Sequence, residues 1–155
     1  MPQIMKGAKY IFGWSKVREN GEIIIPQEAI EEYHLQPKEK VIIASGSKTS
    51  GGFFIARKST LEQSAFSFIF VNNPELAEFR LAEGNTVLFK GRSYCWVSFQ
   101  ETGTIMLNFP ALKAYGVKSG DYLLSIRGSN IGLGLAVRGP VIEEAKKHSE
   151  IPVFE

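Results

Sequence analysis

The chain states one pattern twice. Asn20-Gly21-Glu22-Ile23-Ile24-Ile25 returns 82 residues later as Thr102-Gly103-Thr104-Ile105-Met106-Leu107. Ala29-Ile30 and Tyr33 return as Ala111-Leu112 and Tyr115, Trp14 returns as Trp96, and Phe12 as Tyr94. Beyond Gly46-Ser47 and Gly128-Ser129 the alignment drops one residue, which sets Arg57 against Arg138. A fixed internal period is the first constraint on a fold, because both copies must adopt one structure. It predicts a pseudo-symmetric molecule with two equivalent faces.

Each copy reads as strand, turn, strand, short helix, strand, loop, strand, helix. In the first copy, residues 10–17 are aromatic and β-branched, and Asn20-Gly21 suits a tight hairpin turn. Ile23, Ile24 and Ile25 form the returning strand, and Pro26 stops the ladder and opens a helix whose apolar face is Ala29, Ile30 and Tyr33. Strands at 41–44 and 53–56 flank a polar loop at 46–52, and a helical stretch follows from Ser59. The second copy has strands at 94–99, 105–107, 122–126 and 133–137. Asn108 is placed to cap its helix, Gly116 to end that helix, and Pro140 to open a last one running to about His148. The division that follows is a first repeat at 8–65, a connector at 66–84 with a short helix at 75–81, a second repeat at 85–148 opened by an extra strand at 85–90, and a tail at 149–155. A unit of about 50 residues cannot bury both faces of its small sheet. Pairing with its copy is expected to close the sheet into a barrel and remove the exposed edges.

Composition narrows the function classes. Apolar residues make up 44% and charged residues 22%, which fits a folded globular chain, and no apolar run reaches membrane-spanning length. The first nine residues lack the apolar stretch of a signal peptide, so a cytoplasmic protein without a membrane partner is expected. The single Cys95 excludes an internal disulfide and reads as a small buried hydrophobe beside Trp96. A net charge of +2 with a pI near 8.6 is milder than a typical nucleic-acid binder, although charge can be segregated onto one face.

Several motifs invite sharper readings and receive plainer ones. Residues 46–52 place Lys48-Thr49 among glycines, but a phosphate loop needs Gly where Ser47 stands, and the second copy has no Lys. The loop reads as a strand connection. A backbone site for a small anion near Arg57 or Arg138 stays open. His34 stands where Gly116 stands in the other copy and reads as a left-handed helix end. Two distant His and one Cys give no metal set, and no cofactor is expected. Trp14 and Trp96 read as packing residues, with stacking on a base or ligand as the alternative. No nucleophile, base and orienter stand together, so no catalytic residue is assigned and an enzyme is not expected.

The run from Val17 to Ile30, followed by Leu35-Gln36-Pro37-Lys38-Glu39-Lys40-Val41, resembles the AbrB/SpoVT/MazE-type swapped-hairpin domain. Thr102 to Leu107, with Val117-Lys118-Ser119-Gly120-Asp121, resembles a more diverged member, and tandem copies are similar to the arrangement in MraZ-type proteins. The resemblance covers about 45 residues in each half. It implies a mainly β protein with short helices, a two-repeat AbrB-like β-barrel that is an intramolecular pseudo-dimer. It implies a prokaryotic transcription regulator, or an antitoxin-like module, whose hairpins, residues 10–25 and 94–107, face double-stranded DNA. Lys16 and Arg18 are the matching basic positions, with Ser98 and Gln100 in the second copy. Lys9, Lys90 and Arg92 lie near the starts of the hairpins and complete the expected DNA-binding set.

The chain also departs from that family. Glu22 and Thr104 stand where the family commonly has Arg, and Gln27 and Glu28 open a helix that often begins with Lys or Arg. Five basic residues against four nearby Glu give a weak electrostatic footprint beside the six to ten phosphate contacts common in specific binders. The alternative expectation is a degenerate AbrB-like module that has lost DNA binding and takes a protein or a small ligand. Assembly into a homodimer or higher homo-oligomer is compatible with either.

Overall fold

The computed structural model describes residues 10–155; Lys9 lies outside them. In chain order the strands are β1 (Tyr10–Lys16), β2 (Glu22–Ile24), β3 (Lys40–Ser45), β4 (Phe53–Arg57), β5 (Val87–Phe89), β6 (Arg92–Ser98), β7 (Thr104–Met106), β8 (Tyr122–Arg127), β9 (Leu133–Ala136) and β10 (Val153–Phe154). The helices are α1 (Gln27–Glu32), α2 (Lys58–Glu62), α3 (Phe68–Asn72), α4 (Pro74–Ala77), α5 (Phe109–Ala114) and α6 (Pro140–Ala145). The protein is mainly β with short helices.

Strands far apart in the sequence pair with one another. β1 pairs with β8 and β6 with β3, so each half's first strand lies on the other half's third strand. β2 pairs with β7, with Ile23 opposite Ile105. β4 pairs with β9, with Phe54 opposite Gly134. These registers map onto themselves when the halves are interchanged: Trp14 faces Leu124 as Trp96 faces Ile42. The Ile23–Ile105 and Phe54–Gly134 pairs therefore lie on an internal two-fold axis.

The register corrects the sequence alignment twice. Ile42 pairs with Ala56, and its counterpart Leu124 pairs with Ala136, so the second loop is two residues shorter, not one. Arg57 then corresponds to Val137 rather than Arg138. The reason is pleat parity: a one-residue change would turn every following side chain to the opposite face of the sheet. Phe12 has no counterpart either. It is the extra residue of a bulge between Ile11 and Gly13, and Tyr94 corresponds to Ile11.

Among the described residues no closed barrel forms. The eight-stranded sheet runs β10-β1-β8-β9-β4-β3-β6-β5 and is open, while β2 and β7 make a separate two-stranded sheet. The pairing is the cause: β1 takes β8 as its ladder partner while β2 takes β7. Both arms of each hairpin find ladder partners in the other half, so β1 and β2 separate directly after the turn. The turn survives: Arg18 N–H donates to Glu22 O and Gly21 N–H to Arg18 O. Gly21 has φ +86°, and a Cβ there would sit on the Leu107 carbonyl oxygen.

Three apolar clusters result. One fills the space between the sheet, the β2–β7 ribbon and helices α1 and α5, and draws on both halves through Ile23, Ile105, Val41, Leu123, Phe53 and Leu135. Two smaller clusters lie on the sheet's other face. Around Trp96 and Tyr94 the cover is α2 with the connector helices α3 and α4; around Ile11 and Leu124 it is α6 with Ile151. The segment read as a tail is thus structural. Its β10 lies parallel to β1, with Trp14 opposite Val153, and Gly13 gives it room, since a Cβ there would stand 2.7 Å from the Phe154 ring.

Candidate functional site

Of the five expected DNA-binding residues, Lys9 lies outside the described residues and the other four fall into two separate groups. Lys16 ends β1 opposite Tyr122, its ammonium 6.0 Å from the Tyr122 ring. Arg18 follows on the turn. Lys90 and Arg92 lie together at the β5–β6 turn. β1 and β6 are five strand spacings apart along the sheet, about 24 Å at the usual 4.8 Å separation.

Each group is engaged within the chain. The Arg18 guanidinium pairs with the Glu22 carboxylate, and its Nε donates to the backbone oxygen of Glu155 at 3.0 Å. Arg92 Nη1 donates to Ser45 O at 2.6 Å, and its guanidinium lies over the Phe54 and Phe66 rings. Lys90 lies over Phe68 and Phe89. The second hairpin repeats the Arg18–Glu22 contact in neutral form: Thr104 Oγ1 donates to Gln100 Oε1 at 2.7 Å.

The charge at the tips is balanced. The turn at 118–121 packs on the first tip, since Gly120 N–H donates to Val17 O and Ser119 Oγ to Glu19 O. Lys16, Arg18 and Lys118 therefore meet Glu19, Glu22 and Asp121. At the second tip Lys38 pairs with Glu101 at 3.2 Å. Lys118 and Glu155 were missed as tip residues because they reach the tip only through tertiary structure.

The two interstrand loops flank a cleft of about 210 Å³ on the internal axis, floored by Phe54 and Gly134 with Ser47 and Ser129 at its sides. Among the described residues no charged side chain lines it. Arg138 is at the first loop, but its guanidinium donates to Lys48 O at 3.0 and 3.3 Å; Arg57 pairs with Glu39 at 2.8 Å instead. The two arginines are thus separate, Arg138 at the loop and Arg57 on Glu39.

His34 has φ +54° at the end of α1, matching Gly116 at φ +69°. Cys95 is fully buried, with the Tyr115 hydroxyl 3.3 Å from its sulfur, and burial pushes its thiol up to about 11. A thiol so placed stays protonated near neutrality. Burial likewise raises the Tyr115 hydroxyl, which donates to Ile43 O, and pushes Tyr33 up to about 12 while it donates to Ser129 O. Among the described residues no three His, Cys, Asp or Glu are grouped to hold a metal, and no helix is long and apolar enough to cross a membrane. No family model, no curated protein and no solved structure matches the chain.

Proposed function

We propose that the chain is a non-catalytic binding module of the AbrB/SpoVT/MazE type, made of two interlaced copies, whose hairpin face no longer reads duplex DNA. The exchange of β1, β2, β6 and β7 between the halves supports the family reading. The observation that carries the functional reading is the Arg18–Glu22 pair, since the one strand arginine at the turn is neutralised by the residue standing where the family has its own arginine. Three cations against three acids at that tip offer phosphate no net attraction, and backbone contacts supply most of the affinity for duplex DNA. The partner is then a small ligand or a protein.

The regulator reading remains the alternative, favoured by Lys16, Arg18 and Lys118 converging on one tip. Fluorescence anisotropy against a mixed pool of duplex DNA, at about 50 and 200 mM salt, separates the two. No binding at the lower salt is expected. Salt-sensitive binding that disappears in Lys16→Ala/Arg18→Ala overturns the proposal and restores the regulator.

A further inference from the structure

We propose that the groove beside Trp14 binds a small aromatic carboxylate, with the indole N–H and the Lys146 ammonium meeting the carboxylate. The inference rests on the ligand-binding reading above and names its ligand class. It comes from the chain's own internal template. Trp14 and Trp96 are equivalent in register, yet their surroundings differ. Trp96 is sealed by the connector: the edge of the Phe79 ring meets the indole at 5.8 Å and 79°, and its Nε1 donates to Leu81 O at 2.8 Å. The Lys40 ammonium completes the seal, 5.0 Å from the indole and 5.3 Å from Phe79. One aromatic ring, one acceptor oxygen and one cation together satisfy this tryptophan.

Trp14 has no such seal. It is half-buried, and its indole N–H meets no protein acceptor among the described residues. Tyr122 stands at the position of Lys40. Beside Trp14 there is a groove of about 520 Å³, lined by Trp14, Tyr122, Ile142, Lys146, His148 and Ile151 among others. That volume is within the range of small-molecule sites. The missing parts define the occupant: a ring to meet the indole edge-on and an oxygen to accept its N–H. The sign of its charge follows from the lining. Lys146 and His148 line the groove, and among the described residues its lining includes no carboxylate, although Glu155 Oε1 accepts from the Tyr122 hydroxyl at 3.2 Å. Lys146 pairs with Glu143 at 3.6 Å and His148 with Glu150 at 2.9 Å and Glu144 at 3.3 Å, and exposed pairs of this kind exchange readily for a bound anion.

The probe is 3-phenylpropionate, titrated into the full chain and followed by two-dimensional amide NMR and calorimetry. Saturable binding is expected to shift the Trp14 indole N–H resonance and leave that of Trp96 in place. Lys146→Glu, at an exposed site, should weaken binding about tenfold, and Trp14→Phe, which keeps a ring but loses the donor, by a similar factor. Phenethylamine should not bind. No saturable shift at Trp14, equal binding of the amine, or unchanged affinity in both variants overturns the proposal. The DNA anisotropy measurement fails or succeeds separately, so a loss of one reading is not mistaken for a loss of the other.

Discussion

The layer between the sheet and the β2–β7 ribbon obeys the internal two-fold, whereas the two covers on the sheet's other face do not. In the first, Ile23 meets Ile105, and each half contributes matching strands to one apolar cluster. In the second, Trp96 is closed by a connector that exists once in the chain, and Trp14 by a helix and a two-residue strand that leave a groove. Symmetry persists where main-chain ladders and close packing demand it, because a change on one side must be matched on the other. It lapses where the covers differ, α2 with the connector helices on one side and α6 with β10 on the other. The asymmetric face is therefore where a specific site can be sought.

The strongest test of the symmetric layer is on its axis. Ile23 and Ile105 are both fully buried. Ile23→Ala and Ile105→Ala should each cost about 2–5 kcal/mol, read as a shift in urea midpoint at constant m. The two costs should agree within about 0.5 kcal/mol, and the double variant should depart from their sum because the residues share one contact. Costs differing by several kcal/mol would mean that the two-fold is geometric but not energetic.

The turns should break the equality. Gly21 and Gly103 both have positive φ, +86° and +77°, so alanine at either is strained by roughly 1–2 kcal/mol. Only at Gly21 does a Cβ collide with backbone, the Leu107 carbonyl; at Gly103 the nearest atom is the Ile30 Cδ1 at 3.3 Å. Gly21→Ala should therefore lower the melting temperature clearly more than Gly103→Ala. Equal losses would show that the ribbon shifts to accept the methyl group.

What was legible in the sequence follows the same division. Local chemistry read true: Asn108 Oδ1 accepts from the Ala111 N–H, His34 takes the left-handed conformation, and the strands lie near where alternation put them. Features set by pairing did not. The two-residue loop difference and the Phe12 bulge appear only in the ladder register, because a linear alignment carries no face parity. The barrel closure expected from pairing the two copies does not form among the described residues, where β10 and β5 stand at the edges of an open sheet. At the candidate site the basic residues and Glu22 were readable, but the Arg18–Glu155 contact and the packing of the turn at 118–121 on the tip are brought in by folding.

The two tryptophans should respond unequally to loss of the indole N–H. Trp96→Phe leaves the half-buried Leu81 carbonyl without its donor, at a cost of roughly 1 kcal/mol. Trp14→Phe removes a donor with no protein partner and should stay within about 0.5 kcal/mol, as surface changes do. Chemical unfolding of both variants checks this. A loss at Trp14 as large as at Trp96 would mean that the open face is held by contacts other than those seen.

The smallest effect is expected in the cover of the Trp14 face. His148 follows α6 and accepts or donates to Glu150 at 2.9 Å and Glu144 at 3.3 Å. Its hydrogen bond to Glu150, followed by that to Glu144, raises it above the usual value near 6.5. A raised folded-state value means that the protonated form is favoured by folding. The stabilisation is complete below about pH 6.5 and fades as pH rises through the folded-state value. The melting temperature should thus fall slightly between about pH 6 and pH 8, and His148→Gln should flatten that slope. Because α6 also carries the wall of the groove, the same rise in pH should loosen the Trp14 face while leaving the connector over Trp96 unchanged. Hydrogen exchange at Ile142 and Ala145, set against Leu76 and Ile69, would register the difference; parallel changes on both faces would show that the titration acts on the whole sheet rather than on one cover.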